Sequence, residues 1–340
     1  MEKNEIAVFL KDPCRDVEVF KLADKVRRFW CGEEVYLRGI IEFSNHCCRN
    51  CVYCGLRRDN TELDRFRMAP EEIVNLAGKI AGLGIGTIVL QSGDDFAYDR
   101  LTLCRVIENI KKKNNGLAVT LSVGERPFDD YRAFRDAGAD RYLLKHETAS
   151  PELYARLHPG QSLKIRLDIL RLLRNLGYQT GAGNIVGLPG QTVEDLCADV
   201  LLLRDLEPDM ASVGPFIPQR STPLARETPG SLEAALRVLA LVRIVTRNAH
   251  MPANTAVASL DEASGLERGL QAGANVIMPD FTPEYFRGRY TIYDGKTHIT
   301  PERARAAIIH EGRLVGTGKG DSLHLGFSLT TMGYDVETLR

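Results

Sequence analysis

One stretch of the sequence decides the fold: IIEFSNHCCRNCVYC, residues 40–54. It begins as an apolar run suited to a buried parallel strand, and it ends in a C-x3-C-x2-C arrangement formed by Cys47, Cys51 and Cys54. An open doubly wound sheet would carry a glycine-rich phosphate turn at this place. Cysteines stand there instead, so the first strand is expected to end in reactive side chains, as the strands of barrel enzymes do.

The alternation of an apolar run with a helical pattern continues outward from this stretch and occurs eight times. Eight successive βα units predict a single-domain α/β fold, a (β/α)8 barrel of the TIM type. The domain boundaries that we predict are a helical N-terminal extension over 1–34, the barrel over 35–295 and a C-terminal extension over 296–340. The predicted strands are 35–43, 87–90, 118–123, 141–145, 179–186, 210–216, 254–258 and 275–278.

The composition excludes several classes of function. The 340 residues carry a net charge of −1, which gives no support for a nucleic-acid or membrane-surface role, because both require a concentrated positive field. No stretch approaches the roughly 18 uninterrupted apolar residues of a membrane span. The first residues lack the basic and then apolar layout of a signal peptide. We therefore expect a cytoplasmic protein with no nucleic-acid and no membrane partner.

The cysteine spacing predicts an iron–sulfur site. Thiolates are soft ligands, and three of them can hold three irons of a [4Fe–4S] cluster. The fourth iron is then free to bind the amino and carboxylate groups of S-adenosylmethionine (AdoMet). An electron from the reduced cluster would break a C–S bond of the sulfonium and release a 5′-deoxyadenosyl radical.

Two other interpretations of the cysteines, a structural zinc site and inert buried thiols, fit the spacing less well. A structural zinc site needs four ligands, and here Cys48 or His46 would have to crowd into the same loop as the other three. Inert buried thiols do not explain four cysteines within eight residues. We expect Cys48 to be a non-ligand. The remaining cysteines are spread along helical stretches, and no second cluster is expected from them; they are Cys14, Cys31, Cys104 and Cys197.

Further strings accompany the cysteine motif: LQSG at 90–93, RYLL at 141–144, HETA at 146–149, GLPGQT at 187–192, GPFIP at 214–218 and GANVIMP at 273–279. With them the sequence resembles the radical AdoMet superfamily and, within it, the HydE family of [FeFe]-hydrogenase maturases. The likeness extends from about residue 20 to about residue 295. It covers the predicted barrel and implies the same fold.

The resemblance implies two sets of site residues besides the cluster ligands. One set binds AdoMet and consists of Tyr53, Ser92, Gly93, Asp94, Ser122, Glu147 and Arg166. The other set lines the substrate cavity and consists of Gln91, Thr120, Lys145, Thr255, Met278 and Tyr293. For Glu147 the alternative is a structural ion pair with an arginine of the barrel.

The sequence departs from the family pattern at several positions. Asp94 stands in place of the usual Glu, Lys145 in place of Arg, and Asn254 in place of Thr. The C-terminal extension lacks the cysteines that hold an accessory cluster in some members. Asp94 lies in the AdoMet-binding set, where its shorter side chain reduces the reach to the AdoMet amino group. The other changes do not touch the radical machinery, but Lys145 loses the planar, bidentate recognition of an anion that Arg provides.

The implied activity is the reductive cleavage of AdoMet by a maturase that acts on an organometallic iron–cysteine precursor. A reducing electron donor such as ferredoxin or flavodoxin is implied, as are contacts with other maturases. One alternative is a paralogue with a small organic, amino-acid-like substrate, similar to methylornithine synthase or biotin synthase. Biotin synthase needs a second cluster ligated from its strands, and no further cysteine falls on a predicted strand. The other alternative, a non-catalytic cluster carrier, has no need of Asp94, Glu147 and Arg166.

Overall fold

The structure, a computed structural model, describes residues 1–323 and consists of alternating strands and helices. The strands are β1 (Glu34–Leu37), β2 (Gly39–Ser44), β3 (Thr87–Ser92), β4 (Ala118–Ser122), β5 (Arg141–Leu143), β6 (Gln179–Val186), β7 (Met210–Pro215), β8 (Val276–Ile277) and β9 (Leu314–Val315). The helices are α1 (Lys3–Lys11), α2 (Asp16–Cys31), α3 (Pro70–Gly82), α4 (Arg100–Lys113), α5 (Phe128–Asp136), α6 (Pro151–Leu157), α7 (Leu163–Asn175), α8 (Val193–Leu206), α9 (Leu232–Thr246), α10 (Thr255–Leu260), α11 (Gly265–Gln271), α12 (Glu284–Arg287) and α13 (Pro301–His310). A single 3-10 turn, Pro13–Arg15, separates α1 from α2.

Six parallel strands form one continuous sheet in the order β2-β3-β4-β5-β6-β7. Between consecutive strands of this sheet the chain passes through one or more helices, as in a TIM barrel. Short bridges cross the gap between β7 and β2: Met210 pairs with His250, Pro252 with Val276, and Ile40 with Asp280. The predicted barrel class is therefore confirmed in the form of a six-stranded partial barrel with a bridged gap.

Two predicted strands differ from the structure. The run 35–43 is divided at Arg38: β1 pairs with β8 and β9, whereas β2 pairs with β3. The run 254–258 is helical, because the side chain of Asn254 accepts a hydrogen bond from the backbone N–H of Val257 (3.0 Å) and caps α10. Short apolar runs cannot be assigned to strand or helix by periodicity alone.

The N-terminal helices cover one side of the barrel. Helix α9 packs against α1, α2 and α8 as well as β7, and it buries eleven of its fifteen residues. A helix that is apolar nearly all round needs such cover on several sides. The predicted helical character of residues 1–34 is explained by this packing. In the part of the chain that the structure describes, no helix is long and apolar enough to cross a membrane.

A loop over 316–322 closes the amino-terminal end of the barrel. Arg141, at the start of β5, donates hydrogen bonds to the carbonyl oxygens of Lys319 (2.9 Å) and Gly320 (3.0 Å) and to the carboxylate of Asp321 (2.9 Å). Thr87, at the start of β3, donates to the carbonyl of Lys319 (2.7 Å). The loop belongs to the predicted C-terminal extension, of which residues 324–340 lie outside the described part.

Candidate active site

A cavity of about 350 Å³ lies at the carboxyl ends of the strands. Strand β2 shows why polar and apolar side chains separate there, because successive residues of a strand face opposite ways. Ile40 and Glu42 line the cavity, while Ile41 and Phe43 belong to the hydrophobic core outside the strands. The face of β2 that points to the helices is therefore apolar, whereas the face that points to the cavity carries the charge of Glu42.

The cysteine loop follows β2 directly, and Cys47, Cys51 and Cys54 all line the cavity. The backbone N–H of Arg49 donates to the sulfur of Cys47 (3.4 Å), and the side-chain amide of Gln161 donates to the sulfur of Cys51 (3.4 Å). Cys48 is exposed and is not among the residues that line the cavity. Its backbone N–H donates to the carbonyl of Asp94 (3.0 Å), which ties the loop to the end of β3.

The three cavity thiols fit a cubane cluster. Burial raises the pKa of Cys47 to about 12 and that of Cys51 to about 11, and it raises the pKa of Cys54 as well. Each thiol therefore keeps its proton until a metal replaces it. Among residues 1–323 no three His, Cys, Asp or Glu side chains converge closely enough to hold a single metal ion. A cubane does not require such convergence, because each thiolate binds a different iron.

The end of β3 touches the cysteine loop without room to spare. A Cβ atom on Gly93 would lie 2.4 Å from the carbonyl oxygen of His46 and 2.7 Å from the Cβ of Cys47. Contacts this short are not tolerated, so only glycine fits. The hydroxyl of Ser92 donates to the carbonyl of Gly93 (2.7 Å). The position of the loop thus depends on this strand end.

A chain of charged side chains joins the strand ends that carry the predicted AdoMet residues. Arg49 donates to the carboxylates of Asp94 (2.7 Å) and Glu125 (3.1 Å). The Nε atom of Arg166 lies 2.7 Å from Glu125, and its terminal nitrogens donate to the carbonyl of Lys145 and to Gln161, both at 3.0 Å. Because Glu125 contacts both arginines, the orientation of each depends on the same carboxylate.

Glu147 adopts an unusual backbone conformation beside this chain. Its φ is +67°, a region that residues other than glycine occupy rarely and at a cost of about 1–3 kcal/mol. Its carboxylate lies 3.1 Å from the ammonium of Lys145. Glu147 therefore forms an ion pair, but its partner is Lys145 and not the barrel arginine that the sequence suggested as the alternative.

The predicted substrate residues gather in the cavity with one exception. Gln91, Lys145, Thr255, Met278 and Tyr293 line it. Tyr53, Ser92, Gly93, Asp94, Ser122, Glu147 and Arg166, the predicted AdoMet residues, line it as well.

The exception is Thr120, which is buried and does not line the cavity. It lies two residues before Ser122 on β4, in register with Val89 and Arg141. Side chains inside a barrel stack in layers, and this register places Thr120 in the layer below that of Gln91 and Ser122. Its role in binding remains a prediction.

The chain is similar to known radical AdoMet (radical SAM) proteins. The family profile of the Radical SAM superfamily matches residues 41–203. The [FeFe] hydrogenase maturase subunit HydE of Thermotoga maritima is 49% identical over 85% of this chain and 82% of its own length. The chain belongs to the HydE family of radical SAM enzymes. Membership in this superfamily implies a [4Fe–4S] cluster and AdoMet as cofactors.

Other relatives are more distant from the HydE-family chain. The 3-methylornithine synthase of Methanosarcina acetivorans is 30% identical over 76% of this chain and 73% of its own length. A crystal structure of methylornithine synthase (PylB) superposes with a TM-score of 0.83 over 93% of this chain and 94% of that one, at 24% identity. The structure of the FeFe-hydrogenase maturase HydG of Carboxydothermus hydrogenoformans superposes with a TM-score of 0.79 over 93% of this chain and 76% of that one, at 20% identity. These two structural likenesses show the shared fold.

Several residues of the HydE-family site were missed by the sequence analysis. Arg49 contacts Asp94, Glu125 and Gln161 contact Arg166, and His158 contacts the hydroxyl of Tyr53 through its Nε2 atom (2.9 Å). Nothing in the local sequence marks them, because their partners are far away along the chain. Glu42, which also lines the cavity, could have been identified from the sequence, because a carboxylate inside an otherwise apolar strand is unusual and indicates a special role.

Proposed function

We propose that this protein is a HydE-type maturase in the assembly of the [FeFe]-hydrogenase H-cluster and that it cleaves AdoMet reductively. In this proposal Cys47, Cys51 and Cys54 hold the [4Fe–4S] cluster. The observation that carries the proposal is that these three thiols and all seven predicted AdoMet residues line the same cavity. When bound, the cluster and AdoMet supply one-electron chemistry at the sulfonium.

The residues around the cluster would orient AdoMet. Arg166 is suited to the carboxylate of its methionyl group, because a guanidinium can bind a carboxylate with two parallel hydrogen bonds. Its side chain is already fixed by Glu125 and Gln161. Asp94 and Glu147 are suited to positively charged groups of AdoMet. Tyr53, held by His158, would pack beside the cluster.

The remaining cavity residues would hold a small substrate. Lys145, Gln91, Thr255, Met278 and Tyr293 combine one cation, neutral polar groups and apolar surface. This mixture suits an organometallic iron–cysteine precursor, which combines an amino-acid part with the small ligands CO and cyanide. A reducing electron donor of the ferredoxin or flavodoxin type and contacts with other maturases belong to the same proposal.

Anaerobic reconstitution tests the AdoMet chemistry. With iron, sulfide, AdoMet and a strong reductant, the protein is expected to release 5′-deoxyadenosine, measured by liquid chromatography. Cys51→Ala should lose both the cluster absorbance and the product, because one iron of the cluster loses its ligand. Cys48→Ala is the matched control from the same loop and should keep both. A Cys51→Ala protein that still forms 5′-deoxyadenosine would refute the ligand assignment.

A replacement assay tests the maturase role. The protein takes the place of HydE in a reconstituted hydrogenase maturation mixture, and hydrogen evolution is measured. Active hydrogenase is expected. If AdoMet cleavage is intact but the hydrogenase stays inactive, the proposed role is wrong. The 30% identity to 3-methylornithine synthase then makes a mutase acting on a small amino-acid-like substrate the next candidate.

A further inference from the structure

A buried ion pair between Glu42 and Lys296 lines the cavity, and neither residue belongs to the predicted AdoMet or substrate sets. The ammonium of Lys296 lies 2.5 and 2.6 Å from the two carboxylate oxygens of Glu42. The side chain of Glu42 is 1% exposed and that of Lys296 is 13% exposed, and both line the cavity. The pair brings a positive and a negative group to the cavity surface at the same place.

The position of the pair places it beside the predicted substrate residues. Glu42 on β2 is in register with Gln91 on β3, so the two side chains are neighbours on the face of the sheet that forms the cavity. Gln91 donates to the hydroxyl of Tyr290 (3.3 Å), and the ammonium of Lys296 lies 5.3 Å from the centre of the Tyr290 ring. Within residues 1–323 no hydrogen bond or ion pair connects this group to Arg49, Asp94, Glu125 or Arg166.

Stability alone is a poor explanation for this pair. Taking two charges out of water costs free energy that their attraction often fails to recover, and apolar residues of similar volume are frequently as stable. Burial raises the pKa of Glu42 to about 7, although Lys296 acts in the opposite direction. The carboxylate is therefore held where its charge is costly. A polar ligand that meets both charges offers a reason for keeping them at the cavity surface.

We propose that Glu42 and Lys296 form a subsite for the zwitterionic head group of an α-amino acid within the substrate. The substrate's ammonium binds Glu42 and its carboxylate binds Lys296. Inserting a zwitterion between the two side chains leaves the sum of the buried charges unchanged. An anion would leave Glu42 without its partner, and a cation would do the same to Lys296. The inference rests on the proposed function, since it takes the cavity to be the site of a small-molecule substrate.

The test measures ligand selectivity by isothermal titration calorimetry. The anaerobically reconstituted protein is saturated with AdoMet, without reductant, so that the AdoMet site is filled. The probe is S-methyl-L-cysteine, whose sulfur is methylated so that no free thiol can bind iron. The controls are 3-(methylthio)propanoate, which lacks the ammonium, and 2-(methylthio)ethylamine, which lacks the carboxylate. We expect the probe to bind roughly 10- to 100-fold more tightly than either control, as expected for one charge-assisted hydrogen bond.

Two variants assign the charges. Glu42→Gln should remove the preference for the probe over 3-(methylthio)propanoate, and Lys296→Met should remove its preference over 2-(methylthio)ethylamine. Lys164→Met, at an exposed lysine of α7, is the matched control and should keep both preferences. If both preferences survive in Glu42→Gln and Lys296→Met, or if the wild-type protein does not select the probe, the subsite is refuted.

A double variant covers the case in which a single change prevents folding. Glu42→Leu with Lys296→Met leaves no unpaired buried charge, so it is expected to fold. Its affinity for S-methyl-L-cysteine should fall roughly 10- to 100-fold, and unchanged affinity would overturn the proposal. Release of 5′-deoxyadenosine is measured in parallel samples of the same proteins to which reductant has been added. Wild-type protein without this product refutes the proposed function, whereas product formation with unchanged selectivity in the variants refutes the subsite alone.

Discussion

His146 is fully buried, and neither of its ring nitrogens makes a hydrogen bond. It stands between Lys145 and Glu147, both of which line the cavity, but it does not line the cavity itself. Burial, together with the neighbouring charges of Lys145 and Arg166, lowers the pKa of His146 to about 3. The side chain is therefore neutral in the folded protein at every pH near neutrality.

This residue predicts a dependence of stability on pH. Between about pH 6.5 and pH 3 the unfolded chain binds a proton at His146 that the folded protein does not bind, so stability falls as the pH falls. From pH 7 to pH 5 the loss in the free energy of unfolding should be about 2 kcal/mol. His146→Leu should remove this part of the loss in chemical unfolding of cluster-free protein. The control His310→Leu, at an exposed histidine, should leave it unchanged; equal losses in the wild type and His146→Leu would contradict the prediction.

Individual site residues differ in how far the sequence predicts them. That Cys47, Cys51 and Cys54 line one cavity is predictable because their spacing is local and each follows the same strand. Arg49 and Glu125 are not, because their contacts join residues 76 positions apart. Thr120 shows the complementary error. A strand carries side chains into the barrel at several depths, and only the register with β3 shows which depth a residue reaches.

At the scale of elements, the end of β3 lies directly against the cysteine loop that carries the proposed cluster ligands. The eight-unit pattern predicted most strands, because a buried parallel strand is an apolar run bounded by turns. It failed over 254–258, where Asn254 caps a helix and the bridging residues His250 and Pro252 lie just before it. Bridges of one residue leave no periodicity in the sequence, so this side of the barrel could not be predicted.

Gly93→Ala tests the contact between β3 and the loop. The added methyl would meet the backbone of His46 and the side chain of Cys47, so the loop must move. We expect the variant to fold but to bind less iron and sulfide on reconstitution and to form little 5′-deoxyadenosine. Gly78→Ala in α3 is the control, because nothing lies within 4 Å of the added atom. Full cluster content in Gly93→Ala would show that the contact does not position the ligands.

For the whole molecule, the stability of the fold depends on how the amino-terminal end of the barrel is closed. Arg141 is completely buried there, and its guanidinium donates to Gln179, Thr87 and the 316–322 loop. The loop carries glycines at 316, 318 and 320, which favour a turn, but nothing in the sequence indicates where it would dock. A buried arginine in a strand has to find several acceptors, and here the loop supplies three of them.

Arg141→Ala is expected to destabilise the protein by about 3–5 kcal/mol, because the loop's carbonyls and Asp321 lose a buried partner. Denaturant unfolding measures the change, and hydrogen exchange at residues 316–322 should become faster. Arg132→Ala, at an exposed arginine of α5, should change stability by less than about 0.5 kcal/mol. Slow exchange of the loop in Arg141→Ala would mean that other contacts suffice to hold it.

The docked loop also sets an order of events during synthesis. Lys319 leaves the ribosome 178 residues after the arginine that binds its carbonyl. At about 5 to 20 residues per second, Arg141 waits roughly 10 to 35 s for that partner. Until the loop has been made, this end of the barrel lacks its cover, and Arg141 has only Thr87 and Gln179 among the acceptors named above. Sealing of this end is therefore a late step of biogenesis, after all six strands of the main sheet have been translated.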